Sequence, residues 1–220
     1  MITLSPSLLS ADLSRLGEEI KRVTDAGATY IHIDVMDGAF VKSITYGMPV
    51  IKSIRKCTDA VFDVHLMIEE PIRYINDFAE AGADIITVHQ EACKDLAATI
   101  AAIRAAGKKA GVAIRPDSPV SVLEEVADRV DMLLVMTVYP GFGGQKFIPE
   151  SIGRIKETVA MLEKKGIKDM DIQVDGGIYL DNVRDVLDAG ANVIVAGSSV
   201  FRGDAAANVA GFLEIFREYR

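Results

Sequence analysis

Three stretches of the chain follow one plan: DAGATYIHID (25–34), EAGADIITVH (80–89) and DAGANVIVAG (188–197) each close a helical segment at a glycine and open directly into a short apolar run. A glycine after helical sequence is the usual left-handed cap. The β-branched run behind it is too short for a helix but right for a buried parallel strand. Similar runs stand at ITLSPSLL (2–9), VFDVHL (61–66), KAGVAI (109–114), DMLLVM (131–136) and DIQVD (171–175), which makes eight strand candidates. Between them lie amphipathic segments such as 13–26, 71–81, 95–106 and 149–165, with apolar residues at spacings of three and four. Strand then helix, eight times over, implies one α/β domain over 1–220, a closed (β/α)8 TIM barrel. Such a barrel usually takes about 250 residues, so this one is compact. An open doubly wound sheet alternates in the same way, but no G-x-G-x-x-G follows the first strand.

Composition narrows the partners. The 24 basic and 32 acidic residues give a net charge of −8, which argues against sequence-independent binding to nucleic acid or to an anionic membrane. An anionic substrate must therefore be met by local donors. Cys57 and Cys93 stand apart, with no C-x-x-C spacing, as expected of a chain kept in a reducing cytoplasm. No signal peptide or membrane span is expected, because the apolar start ITLSPSLL is short and interrupted by Ser and Pro.

In a barrel of parallel strands the site lies at the C-terminal strand ends. All three histidines, His32, His65 and His89, fall there, as do Asp34 and Asp175. Aligning the three repeats puts Asp34, His89 and Gly197 at one level. His32 and Asp34 share a strand face about 6–7 Å apart along the chain. With His65 and Asp175 they make a ligand set suited to a divalent transition metal, since imidazole and carboxylate suit zinc, iron or manganese. The plainer reading of a buried histidine is a hydrogen-bonded core residue, and His89 is assigned to it, because its same-face neighbour Thr87 is a weak ligand. Asp63, deeper than His65 on the same face, is a candidate to orient a metal-bound imidazole; the alternative is a solvated carboxylate in the barrel floor.

A second constellation is glycine-rich: PGFGGQ (140–145) after strand six, DGG (175–177) after strand seven and AGSS (196–199) after strand eight. Consecutive backbone N–H groups there, with a short helix starting at Ser198, form a cradle for an anion such as phosphate. The loops after strands seven and eight are the usual phosphate position in this fold. Glycine also makes ordinary turns, but three such turns on adjacent strands favour phosphate.

The segments SPSLLSAD (5–12), HIDVMDGAFV (32–41), DVHLM (63–67), MTVYPGFGGQKFIPES (136–151), VDGGI (174–178) and AGSSVF (196–201) resemble, in order, the ribulose-phosphate 3-epimerase family. The resemblance implies one divalent metal ion per chain (zinc, iron, manganese or cobalt) held by His32, Asp34, His65 and Asp175, with Asp34 and Asp175 as the two catalytic acid/base residues. It further implies that Ser7, His65 and Asp175 touch the substrate. Gly141, Phe142, Gly143, Gly144, Gly176, Gly177, Gly197 and Ser198 would surround its phosphate end. Met36, Met67 and Met136 match methionines lining the family's catalytic mouth. The chain departs from the family pattern in the loop GAFVKSITYG (38–47) and at Arg115, Tyr139 and Gln173, where Asn, Asn and Glu are common.

The expected reaction is epimerisation at carbon 3 of a ketose phosphate, D-ribulose 5-phosphate to D-xylulose 5-phosphate, through an enediolate. Alternatives are D-allulose 6-phosphate as substrate, or a non-catalytic phosphosugar- or metal-binding protein, which would not need two opposed carboxyls. A decarboxylase or aldolase of the same phosphate-binding type would want a lysine at a strand end, whereas Lys42, Lys146 and Lys168 lie in loops. The expected partners are a ketose phosphate and further copies of the chain in a homo-oligomer.

Overall fold

The computed structural model describes residues 2–219. Eight parallel strands form one sheet: β1 Thr3–Pro6, β2 Tyr30–Met36, β3 Val61–Met67, β4 Ile85–His89, β5 Lys109–Ile114, β6 Met132–Met136, β7 Asp171–Asp175 and β8 Val193–Ala196. The hydrogen-bonded order runs β1-β8-β7-β6-β5-β4-β3-β2, and among the described residues a single bridge between Ser7 and His32 joins the two ends into a nearly closed barrel. The repeats end as their sequence implies: Gly27, Gly82 and Gly190 have φ of 109°, 115° and 109°, so the chain turns from helix to strand where a Cβ would be strained.

The helices are α1 Leu16–Asp25, α2 Met48–Ile54, α3 Ile75–Ala81, α4 Leu96–Ala105, α5 Ser151–Lys164, α6 Val183–Asp188, α7 Ser198–Phe201 and α8 Ala205–Arg217. Their apolar faces and the outward strand residues make one continuous core around the ring. Two expectations need correction. The run 2–9 is strand only to Pro6, because Ser7 caps a 3-10 turn over Leu8–Ser10, its hydroxyl accepting from Leu9 N–H. Nor does every strand lead into an α-helix: the β5–β6 crossover is a 3-10 turn, Val120–Leu123, followed by further turns. Its backbone bonds are mostly of the tighter type, and the Arg129 side chain takes the Glu125 carbonyl that a regular helix would use. Val120, Leu123, Val126, Ala127 and Val130 are buried all the same, so the segment covers the barrel as a helix would.

Inside the ring, side chains stack in layers of four drawn from alternate strands. The register, followed one residue outward per strand to allow for strand tilt, gives these layers in order toward the mouth. Ser5, Asp63, Gly111 and Gln173 come first, then His32, Thr87, Leu134 and Val195. Ser7, His65, Ala113 and Asp175 follow, and Asp34, His89, Met136 and Gly197 are outermost. The shared level of Asp34, His89 and Gly197 read from the repeats is thus the mouth layer. Below these layers an apolar plug of Ile85, Met132 and Val193, with Tyr30 and Val61 against it, seals the floor.

Candidate active site

Polar residues fill the inner layers because the strands place them there at period two, and most of them meet a partner on another strand, whereas the Thr87 hydroxyl is buried without one. At the bottom, fully buried Asp63 accepts through Oδ2 from Ser5 Oγ (3.2 Å) and Gln173 Nε2 (2.5 Å), and the same oxygen lies 2.7 Å from His32 Nδ1. A carboxylate acceptor puts the proton on Nδ1, which leaves Nε2 of His32 as the free nitrogen. That Nε2 is buried without a hydrogen-bond partner, 3.3 Å from Asp34 Oδ1 and 3.8 Å from Asp175 Oδ2. On β3, His65 turns Nδ1 to the same place, 3.2 Å from Asp34 Oδ1 and 3.8 Å from Asp175 Oδ2.

One ligand atom each from His32, Asp34, His65 and Asp175 thus lie within 4.8 Å of one another. An orphaned buried imidazole nitrogen facing two carboxylates is what a divalent cation would satisfy, so the residues present fit a metal. Asp63 does not join this group. It holds His32, on the neighbouring strand, rather than its own strand-mate His65.

The two site carboxyls are pushed apart in acidity. Burial would raise Asp34, but the imidazole of His32 and then that of His65 outweigh it and hold the carboxyl far below the usual range. Asp175 is pushed up to about 6, by burial first and then by the negative charge on Asp34. Ser7 adds a hydroxyl that donates to Asp34 Oδ2 at 2.6 Å. His89 lies against His65 without joining the ligand group, its Nε2 2.9 Å from His65 Nε2 and its Nδ1 3.3 Å from Glu91 Oε2.

Above this cluster opens a cleft lined by Ser7, Asp34, Asp175 and the methionines Met36, Met67 and Met136. Gly141 to Gly144, Gly176, Gly177, Gly197 and Ser198 form its other side, so the glycine turns and the carboxylates converge on one mouth. Gly177 has φ of 69°, and a Cβ there would run into the backbone of Phe147. A Cβ on Gly197 would stand 2.6 Å from Ser10 Oγ. Phe142 lies at the rim, 64% exposed, and the loop that carries it is tied by Gln145 Nε2, which donates to the carbonyls of Tyr139 (2.7 Å) and Phe142 (2.9 Å).

Sequence reasoning passed over Ser10 and Tyr179, which line the same cleft. Ser10 stood within the SPSLLSAD motif, so a signal for it was present. Tyr179 follows VDGGI directly, and its hydroxyl is 2.9 Å from Ser198 Oγ, a contact no local pattern announces.

The model of the ribulose-phosphate 3 epimerase family matches residues 3–201. The ribulose-phosphate 3-epimerase of Bacillus subtilis is 54% identical over 201 residues, 91% of this chain and 93% of that protein. The chloroplast enzyme of Arabidopsis thaliana is 48% identical over 91% of this chain and 72% of its own length. The fold recurs at much lower identity, as in KGPDC from Streptococcus mutans (TM-score 0.72, 15% identity, 99% of both chains). Phosphoribosyl anthranilate isomerase from Thermus thermophilus is another example (TM-score 0.67, 14% identity, 100% of both chains). With the match spanning the strands that carry both the carboxylates and the glycine turns, the chain belongs to the ribulose-phosphate 3-epimerase family, isomerases that act as carbohydrate epimerases.

Proposed function

We propose that the chain epimerises carbon 3 of D-ribulose 5-phosphate in a metal-dependent, two-base reaction. The observation that carries this reading is the placement of Asp34 and Asp175. They come from β2 and β7, non-adjacent strands of the ring, meet at one cluster, and are held at opposite protonation tendencies. Inverting a carbon centre needs a proton taken from one face and another delivered to the opposite face, and a carboxylate facing a protonated carboxyl is suited to that exchange.

In one direction the Asp34 carboxylate removes the carbon-3 proton while Asp175 delivers its own to the other face; the reverse direction exchanges the roles. Ser7 holds Asp34 Oδ2, which fixes the plane of the carboxylate. The three methionines give the chamber apolar walls that keep water from reprotonating the enediolate. His32 and His65, with the two aspartates, would hold a divalent ion such as zinc, iron, manganese or cobalt. That ion would supply Lewis-acid stabilisation of the negative charge developing on the ketone oxygen. The phosphate end is assigned to the glycine turns, with Ser198 beside them. Their backbone N–H groups meet a dianion without drawing on the side chains of a chain of net charge −8. Assembly into a homo-oligomer, read by sedimentation, belongs to the same proposal.

The test uses Asn, which keeps the shape of Asp but cannot carry the proton. Asp175→Asn should lose net epimerisation by at least the roughly 10²–10⁴-fold typical of one acid/base group. With metal retained, Asp34 can still remove and return a proton on its own face. One epimer should therefore exchange its carbon-3 hydrogen with heavy water without conversion, and Asp34→Asn should show exchange from the other epimer only. Metal content is measured in both variants, since each aspartate is also a proposed ligand. Exchange of the same epimer by both metal-replete variants would end the two-base assignment.

A further inference from the structure

His65 carries a hydrogen-bonded arm that leads away from the carboxylates. Its Nε2 lies 2.9 Å from Nε2 of the fully buried His89, and Nδ1 of His89 lies 3.3 Å from Glu91 Oε2. Glu91 is anchored in turn through Oε1, which accepts from the Arg115 backbone N–H at 2.8 Å and from the Ser118 hydroxyl. The Phe40 ring packs on His89 at 5.0 Å between centroids, and the Arg115 guanidinium stands 4.2 Å from the centre of that ring.

We propose that His89 and Glu91 are positioning residues that fix the tautomer of His65, so that its Nδ1 lone pair is the one offered to a cation. The argument starts at Glu91, an anion that only accepts. The His89 nitrogen facing it must carry a proton, so the neutral His89 ring has Nδ1–H and a bare Nε2. Two ring nitrogens 2.9 Å apart cannot both be bare, so His65 donates from Nε2; its Nδ1, 3.2 Å from Asp34 Oδ1, then keeps a lone pair that faces a carboxylate, an arrangement a cation placed between the two satisfies. The opposite arrangement would aim the Nδ1 lone pair of His89 at the Glu91 carboxylate. The two histidines of the site are thus fixed by separate carboxylates: Asp63 acts directly on His32, and Glu91 acts on His65 through a second imidazole.

This inference rests on the metal reading above, and the experiment separates the two. Nitrogen-15 spectra of the histidine rings are recorded for the metal-free chain and for the chain loaded with zinc, and zinc affinity is measured by chelator competition. His89 should carry its proton on Nδ1 in both states, and zinc should shift Nδ1 of His65 while Nε2–H persists. His89→Leu and Glu91→Gln should weaken zinc binding by about 10–100-fold, the usual cost of losing such a partner. His89→Gln, whose side-chain oxygen can reach the position of Nε2, should recover most of that loss, which a merely structural role for the ring would not allow. A wild-type chain that bound no zinc would sink the metal reading, while the His89 tautomer would still decide this one. A proton on Nε2 of His89, zinc on Nε2 of His65, or wild-type affinity in His89→Leu would each overturn it.

Discussion

His32 lies between two carboxylates, Asp63 below and Asp34 above, and its charge state follows from them. Burial disfavours the imidazolium, but the charges of Asp63 and then Asp34 overcome that and raise its pKa well above the ordinary value. In the metal-free chain the two carboxylates thus favour a second proton on His32, at Nε2, and Asp175 holds one below about 6. Both must leave before the ligand atoms can take a metal, so affinity should rise with pH. Calorimetry in buffers of different ionisation enthalpy should find more protons released on metal binding at pH 5 than at pH 7, because only below about 6 does Asp175 contribute its own. Equal release at both values would count against the raised pKa of Asp175. Asp63→Asn tests the other side of His32. An amide can still accept from Ser5 and Gln173 but brings no charge to the imidazole, and zinc affinity by chelator competition should fall about 10–100-fold.

The elements divide the labour between rigid strands and tied loops. All four proposed ligands stand on strands β2, β3 and β7, whereas the glycine turns follow β6, β7 and β8. The loop after β2 reaches the loop after β6 through Ser43, whose hydroxyl donates to the Gly141 carbonyl, and Ser43 lies in the segment that departs from the family pattern. Ser43→Ala should loosen the β6 loop and raise KM for the phosphorylated substrate several-fold with little change in kcat, as initial rates would show. Gly197→Val acts at the end of β8. Its φ of −100° suits any residue, so the penalty is steric: the new side chain meets Ser10 Oγ and displaces a wall of the cleft. KM should rise sharply, and unphosphorylated ribulose should be a poor substrate for the unmodified chain; equal turnover of the two sugars would refute the cradle.

At the scale of the molecule the weak point is the seam between β1 and β2. Elsewhere neighbouring strands share a ladder, but here, among the described residues, one backbone bridge joins Ser7 to His32, with the Ser7 hydroxyl on Asp34 beside it and the Ser5 hydroxyl reaching past β2 to Asp63 on β3. A metal at the four-ligand site would cross-link β2, β3 and β7 beside that seam. An ion at about 100 times its dissociation constant stabilises the fold by roughly 2.7 kcal/mol. For a chain of this size that corresponds to a Tm increase of about 5–10 °C. Chelation should remove it and zinc should restore it; an unchanged melting curve would mean that no ion is bound at this site.

The barrel was legible in the sequence because its signals are local. A glycine cap, a strand of fixed length and period-two alternation together carry Asp34 and His89 to the mouth layer and Gly197 to the same height. The types of residue at the strand ends likewise pointed to a metal, and the family resemblance to two acid/base groups. Other features were decided only by the tertiary structure. Asp63 pairs with His32 rather than His65, and Gln173, 110 residues away in sequence, donates to Asp63. Tyr179 meets Ser198, and Glu91 faces His89. The fifth crossover, expected to be a helix only from the eightfold alternation, is built of 3-10 turns where the Arg129 side chain competes for a backbone carbonyl. A strand's alternation determines which side chains enter the barrel and at what height. Which of them meet, and through which ring nitrogen, depends on strand tilt and ring closure, because these bring together residues whose separation in sequence carries no information about their distance.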